Sequence, residues 1–447
     1  MDCVELCRKL AAIDSSTTHG TKDIVAFVAE LSQSFGLTCE VQNEEYNGVA
    51  HANIIIRNTS APSAKEFLLI AHLDTPDPGD YAHWVRTGAN PFNVSVDGED
   101  MYGLGLSDAK ADFACKLLAL KATNGLSYKN MNPVLVGTFG QSSGAGAIRL
   151  IRKKCVKADA ALVGAPTQLR IATKGPGYAK VEISIPFSAD EIKYHEKHNS
   201  VEASISQSKI FSRSQTNGDI ENIEDNPILR MLDYLKNLPQ GISIISVDGG
   251  MSSEVDPDTA SLEIDIVDGI REGSLMKLVR IGEAIKILSA ELKSVHDADC
   301  VPAYSTITIG KIRTYPEEIK ISGICRLVPG QDRSVYESWL ERLRTECSGI
   351  GASFSILDYK PPFEFSGESE FTEILKSVAS EVGVGVQRVA ARKCSEANIF
   401  SRLGVATIAF GPGNILKQAH ASQEHVRVSD LKMTEEFYKK MIERYCT

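Results

Sequence analysis

Apolar residues along this chain recur with two periods, and the change of period marks out its elements. Four in a row at 67–70 (FLLI) read as a strand buried on both faces, as in a parallel sheet. Around it, 37–42, 52–57, 133–138 and 160–163 read as further strands, while 4–11, 21–35, about 109–120 and a stretch ending near 153 carry helical spacing. Strands alternating with helices indicate a mostly parallel α/β sheet. The texture changes after KGPGY (174–178). A strand at 181–185 is followed by a polar run, 188–226, whose few large apolar residues predict an exposed loop or hairpin. Helices at 228–238, 275–292 and 335–347 then alternate with strands at 242–247, 261–267 and 321–327. From Pro361 the first pattern resumes, with a helix at 371–382, a strand at 405–410 and a helix at 432–446. The expected fold is an α/β domain of residues 1–178 and 359–447, interrupted by an inserted α+β domain of residues 179–358.

Composition narrows the classes of function. A chain of 447 residues exceeds one typical core, so two or three domains are expected. A net charge of −10 argues against a nucleic-acid partner. No run approaches the roughly 18 apolar residues that span a bilayer, so no membrane partner is expected. The opening MDCVELCRKL lacks a basic segment ahead of an apolar core, which makes a cytoplasmic protein the expectation. Ten scattered cysteines contain no C-x-x-C, against a zinc knuckle or a disulfide scaffold, and most read as small buried hydrophobes.

The candidate chemistry gathers at strand ends. His72 and Asp74 close FLLIAHLD one residue apart, at the C-terminal edge where open α/β sheets place ligands. The pair reads as a metal-binding imidazole with an orienting acid, or as ordinary loop hydrogen bonding. In YGLGLSDAKA, Ser107 or Asp108 reads as the cap of the following helix. His195 and His198 lie in a charged stretch and carry no assignment.

FLLIAHLDT, NPF, YGLGLSDAK, TFGQSSG, VGAPTQLRIATKGPG and FGPGNILKQAHASQEH occur in this order over nearly the whole chain. Together they resemble the zinc-dependent amidohydrolase family of acetylornithine deacetylase, succinyl-diaminopimelate desuccinylase, aminoacylase and carboxypeptidase G, and most of all its acetylornithine deacetylase-like branch. The resemblance implies a metal-binding α/β domain with a ferredoxin-like lid that often dimerises. It implies hydrolysis of an N-acyl amino acid or small peptide at two zinc ions. His72 matches the first metal-binding histidine, Asp74 the acid orienting it, Asp108 the bridging carboxylate and His420 the histidine on the second ion.

Three further family positions depart. Gln141 stands where the family has its general-base glutamate, Ser142 where it has a metal-binding glutamate, and Ala165 where it has an acidic ligand. In the lid, KIFSRSQTNGD (209–219) lacks the family's substrate-facing histidine, although Asn226 and Gly249–Gly250 still match. An amide has no basicity for deprotonating a metal-bound water, a loss of about 10²–10⁴ in rate. Two histidines and one shared carboxylate fall short of the three protein ligands usual for each catalytic zinc. The expectation is therefore an impaired or inactive homologue with a ligand-binding or partner role, holding at most one zinc ion or none. The alternative is a single-metal amidohydrolase with a replacement donor among Asp77, Asp80, Cys394 and Glu396. A small N-acyl amino acid or peptide-like ligand is expected, with a homodimer or a pairing with an active relative.

Overall fold

The computed structural model describes residues 1–58, 65–141, 143–198, 206–213, 225–239, 241–266, 273–414 and 423–447. These divide into two compact units, one of residues 1–175 and 363–447 and one of residues 176–362.

The first unit is built on a nine-stranded sheet. Its main path runs Thr38–Tyr46, Val49–Arg57, Asn132–Thr138, Glu66–His72, Ala158–Gly164, Ala406–Phe410, Arg170–Gly175 and Phe363–Glu364, with Gly385–Ala390 paired to Arg170–Gly175. The middle is parallel: Leu69 lies opposite Leu135 on one side and Leu162 on the other, and Leu162 lies opposite Ile408. Antiparallel pairs close the Thr38–Tyr46 edge.

Every residue of Glu66–His72 is buried, and its alternate side chains enter separate cores. Phe67, Leu69 and Ala71 pack with the helices Cys3–Ala11, Lys22–Ser34, Ala111–Ala122, Glu370–Val382 and Val428–Tyr445. Leu68 and Ile70 pack with Ala145–Arg152 and Glu396–Arg402. Burying a side chain of this size is worth about 1.5–3 kcal/mol, so a strand apolar on both faces belongs at the centre. Residues 111–120 are buried on all sides of their helix, which explains why they show little amphipathic pattern.

The second unit carries a seven-stranded antiparallel sheet in the order Gln207–Ser212, Thr259–Ile266, Ile242–Gly249, Thr306–Thr314, Glu318–Leu327, Gly177–Pro186, Ser353–Lys360. Strict alternation of burial along Glu318–Leu327 shows one covered face. The helices Pro227–Leu235, Ser274–Lys293 and Arg333–Gly349 supply much of the cover.

The polar run after 187 departs from the expected loop. It contains the helix Ala189–His198 and the strand Gln207–Ser212. The helix is tied down through polar groups: buried Glu191 accepts hydrogen bonds from the backbone N–H of Ser188 and Ser274, at 2.8 and 2.7 Å. His195 is structural, with Nε2 2.9 Å from the Ile244 carbonyl and its ring edge-on to Phe187. The strand lies at the sheet edge with only Phe211 buried, so its sequence shows no apolar alternation. Among the described residues no helix is long and apolar enough to cross a membrane.

Candidate functional site

The parallel strands of the first unit end together, and their C-terminal ends hold the candidate residues. His72 is the last residue of Glu66–His72 and lies opposite Thr138 in the next strand. It points to the same side as Leu68 and Ile70 and is 1% exposed. Its Nε2 lies 3.1 Å from Asp108 Oδ1. Its Nδ1 lies 2.9 Å from the Asp74 carbonyl and 3.5 Å from Asp74 Oδ1. Neither a carbonyl nor a carboxylate can donate, so these contacts favour a proton on both ring nitrogens. Burial opposes the charged ring, yet the hydrogen bonds and charges of Asp108 and Asp74 outweigh it and hold the imidazole well above its ordinary value.

Asp108 does not cap a helix, contrary to the sequence expectation for this position and for Ser107. The helix Ala111–Ala122 starts later and has no side-chain cap. Asp108 sits in the turn Leu106–Lys110 with φ −146° and ψ 86°, which breaks the helical path and turns its carboxylate toward His72. Gly105 makes the turn possible, because it has φ +77° and a Cβ there would lie 2.5 Å from Thr75 Cγ2.

Glu424, far along the chain, holds this turn from behind. Fully buried, it accepts the backbone N–H of Gly105 at 3.0 Å, Ser107 at 2.8 Å and Asp108 at 3.3 Å. Burial, assisted by the nearby Asp108 charge, pushes its carboxyl up to about 7, against the pull of those N–H groups. Lys110, also buried, donates to the Ile13 carbonyl at 2.9 Å, and burial lowers its ammonium to about 8.

Gln141 joins the two acids. Its side-chain amide donates to Asp108 Oδ2 at 3.0 Å, and its backbone N–H donates to Asp74 Oδ2 at 3.1 Å. Gln141, His72 and Asp108 line a narrow cleft of about 10 Å³, room for about one water, together with Ala165, Cys394 and Ser395. Glu396, in the first turn of the adjoining helix, is fully buried; its Oε1 accepts the Thr138 hydroxyl at 2.8 Å, and its Oε2 has no hydrogen-bond partner among the described residues. His420 and Ser142 lie outside the described residues.

Sequence reasoning missed Glu424 and a buried ion pair deeper in the unit. Lys116 donates to Asp112 Oδ2 at 2.6 Å and to the Ile70 carbonyl at 2.7 Å, while the Tyr438 hydroxyl donates to Asp112 Oδ1 at 2.5 Å. The signal was an acid and a lysine four residues apart within an otherwise apolar helix. Gly164 admits this pair, since a Cβ there would lie 2.3 Å from Asp112 Oδ2.

The described residues do not fit a two-metal centre. Asp108 has one oxygen opposite an imidazole and the other opposite an amide N–H, and Ala165 has no donor atom. Among the described residues, no three His, Cys, Asp or Glu side chains converge as metal ligands.

Comparison with known proteins gives this geometry its context. The family described as Peptidase family M20/M25/M40 matches residues 68–444. The acetylornithine deacetylase of Buchnera aphidicola subsp. Schizaphis graminum is 23% identical over 414 residues, covering 90% of this chain and 89% of its own length. That of Salmonella arizonae is 21% identical over 453 residues, covering 98% and 94%. Among solved structures, the M20 family metallo-carboxypeptidase Sso-CP2 of Sulfolobus solfataricus aligns with a TM-score of 0.64 at 16% identity, covering 100% of this chain and 99% of that one. YXEP of Bacillus subtilis, a dinuclear metal-binding M20 peptidase, aligns with a TM-score of 0.52 at 12% identity, covering 100% and 98%.

Proposed function

The chain belongs to peptidase family M20/M25/M40, and from that premise we propose that it is an acetylornithine deacetylase-like homologue with little or no hydrolytic turnover, acting by binding a ligand or a partner. The observation that carries this reading is the hydrogen bond from the Gln141 amide to Asp108 Oδ2. A group in this position must accept a proton from water to begin amide hydrolysis, and a neutral amide cannot. The same amide donates into an oxygen that a metal would need. With His72 on the other oxygen, Asp108 is charge-compensated by protein groups, and zinc binding falls to one ion per chain or none.

A small N-acyl amino acid or peptide-like ligand follows from the family; the cleft beside Cys394 and Ser395, at about 10 Å³, has to widen to admit it. Pairing with a second copy or an active relative is supported by the edge strand Gln207–Ser212, where Ile210 is 69% exposed. A second reading, a one-metal amidohydrolase, draws support from the unpartnered Glu396 Oε2. Assays of N-acetylornithine and a panel of N-acyl amino acids and dipeptides, with and without added zinc, separate the two. Release at the buffer rate, unchanged by His72→Ala, is expected. Turnover that His72→Ala abolishes would select the second reading.

A further inference from the structure

The first unit brings together three thiols that the site does not use. Cys3 and Cys7 lie one turn apart on the helix Cys3–Ala11, and Cys115 lies on Ala111–Ala122, the helix that leads out of the Asp108 turn. The Cys3 and Cys115 sulfurs are 3.4 Å apart, although 112 positions separate them in sequence. All three residues are buried, but Cys3 keeps a 6% exposure while Cys7 and Cys115 have none. Among the described residues no cluster of Cys, His, Asp or Glu is arranged to hold a metal, so a structural zinc does not account for the grouping.

We propose that Cys3 and Cys115 form an oxidation site, at which a hydroperoxide converts the two thiols into a disulfide joining the N-terminal helix to the helix that follows Asp108. Cys3 is the attacking sulfur. It occupies the first turn of its helix, where the unpaired backbone N–H groups and the helix dipole favour an anion. Hydrogen bonds from Cys115 and then Cys7 bring its thiol down to about 5, overcoming burial and the nearby Asp2 charge. Cys7 and Cys115 are held well above the ordinary thiol value. Cys3 is thus the most acidic of the three thiols.

In the first step the Cys3 thiolate attacks one peroxide oxygen and the O–O bond breaks. Cys3 becomes a sulfenic acid, and the departing oxygen leaves as hydroxide, which takes up a proton to give water. In the second step the Cys115 sulfur attacks the Cys3 sulfur. The S–O bond breaks, the Cys115 proton and the sulfenic hydroxyl leave as water, and the S–S bond forms. Two thiols lose two electrons and two protons, and one hydrogen peroxide becomes two waters. The sulfurs must close from 3.4 Å to about 2.05 Å. Cys115 is the resolving thiol because its sulfur already touches that of Cys3, whereas a link to Cys7 would have to close within one helical turn.

The test uses the full-length folded chain. It is treated with hydrogen peroxide, its free thiols are alkylated after denaturation, and the digest is mapped by mass spectrometry with and without dithiothreitol. The expected product is a Cys3–Cys115 cross-linked peptide pair lacking two hydrogens and released by dithiothreitol. In Cys115→Ser, and in Cys115→Ala should a buried hydroxyl unfold the chain, the cross-link disappears and dimedone captures Cys3 as its sulfenic-acid adduct. Recovery of Cys3 and Cys115 as free thiols from peroxide-treated wild type overturns the proposal. So does a Cys3–Cys7 link in place of Cys3–Cys115. Neither result depends on whether the cleft hydrolyses anything.

Discussion

The Gln141 side-chain amide donates to Asp108 Oδ2 at 3.0 Å. The opposite oxygen, Oδ1, faces His72 Nε2 at 3.1 Å. One buried carboxylate thus accepts from a side-chain amide and faces an imidazole that Asp108 and Asp74 hold well above its ordinary value.

Restoring a carboxylate at position 141 reverses that balance. In chelator, Gln141→Glu replaces a hydrogen bond to a charged group by a like-charge contact, at a cost of about 1–3 kcal/mol. Zinc should then raise the melting temperature of the variant by more than that of wild type. Thermal denaturation of both proteins with and without zinc checks this; an equal zinc response in the two would contradict it.

Removing His72 leaves Asp108 buried without its cation. His72→Ala should therefore lose about 3–5 kcal/mol in urea unfolding, the cost of breaking one side of a buried pair. A loss below 1 kcal/mol, on the order of an exposed pair, would show that Asp108 is compensated elsewhere.

Glu424 gives the site a pH signature. Its carboxyl is raised from 4.5 to about 7 in the folded chain, so between those values the folded state holds more protons than the unfolded state. This contribution to stability is complete below pH 4.5 and declines as pH rises toward 7. Glu424→Gln cannot titrate. The stability gap between wild type and variant should narrow by up to about 3 kcal/mol across that window. Denaturant titrations at several pH values measure the gap, and a constant or widening gap would refute the assignment.

The Asp112–Lys116 pair should behave as a unit. Lys116→Met strands a buried carboxylate and should cost about 3–5 kcal/mol. Adding Asp112→Asn removes the stranded charge and should recover part of the loss, because Asn can still accept from Tyr438. Additive losses in a double-mutant cycle would mean that the two groups are not coupled.

Much of the α/β framework could be read from local pattern. Phe67–Ile70 needed burial on both faces, and they enter two separate cores. His72, Asp108, Gln141 and Ala165, all named from the sequence, line one cleft. Glu424 was not singled out, because its partners lie more than 300 residues earlier and no local period reports a carboxylate holding backbone N–H groups. The edge strand Gln207–Ser212 escaped for the converse reason: it buries a single side chain, so its polarity matches that of a loop. Thr306–Thr314, also unread, is a strand whose alternating threonines and isoleucines are interrupted by a bulge at Gly310.

Zinc counted per chain, in protein purified without chelator, loaded with excess metal and desalted, bears on the charge argument with the fewest intermediate steps. One ion or none is the expected value, because the Gln141 amide and the His72 imidazolium already occupy the oxygens of Asp108. Two tightly held ions would contradict it.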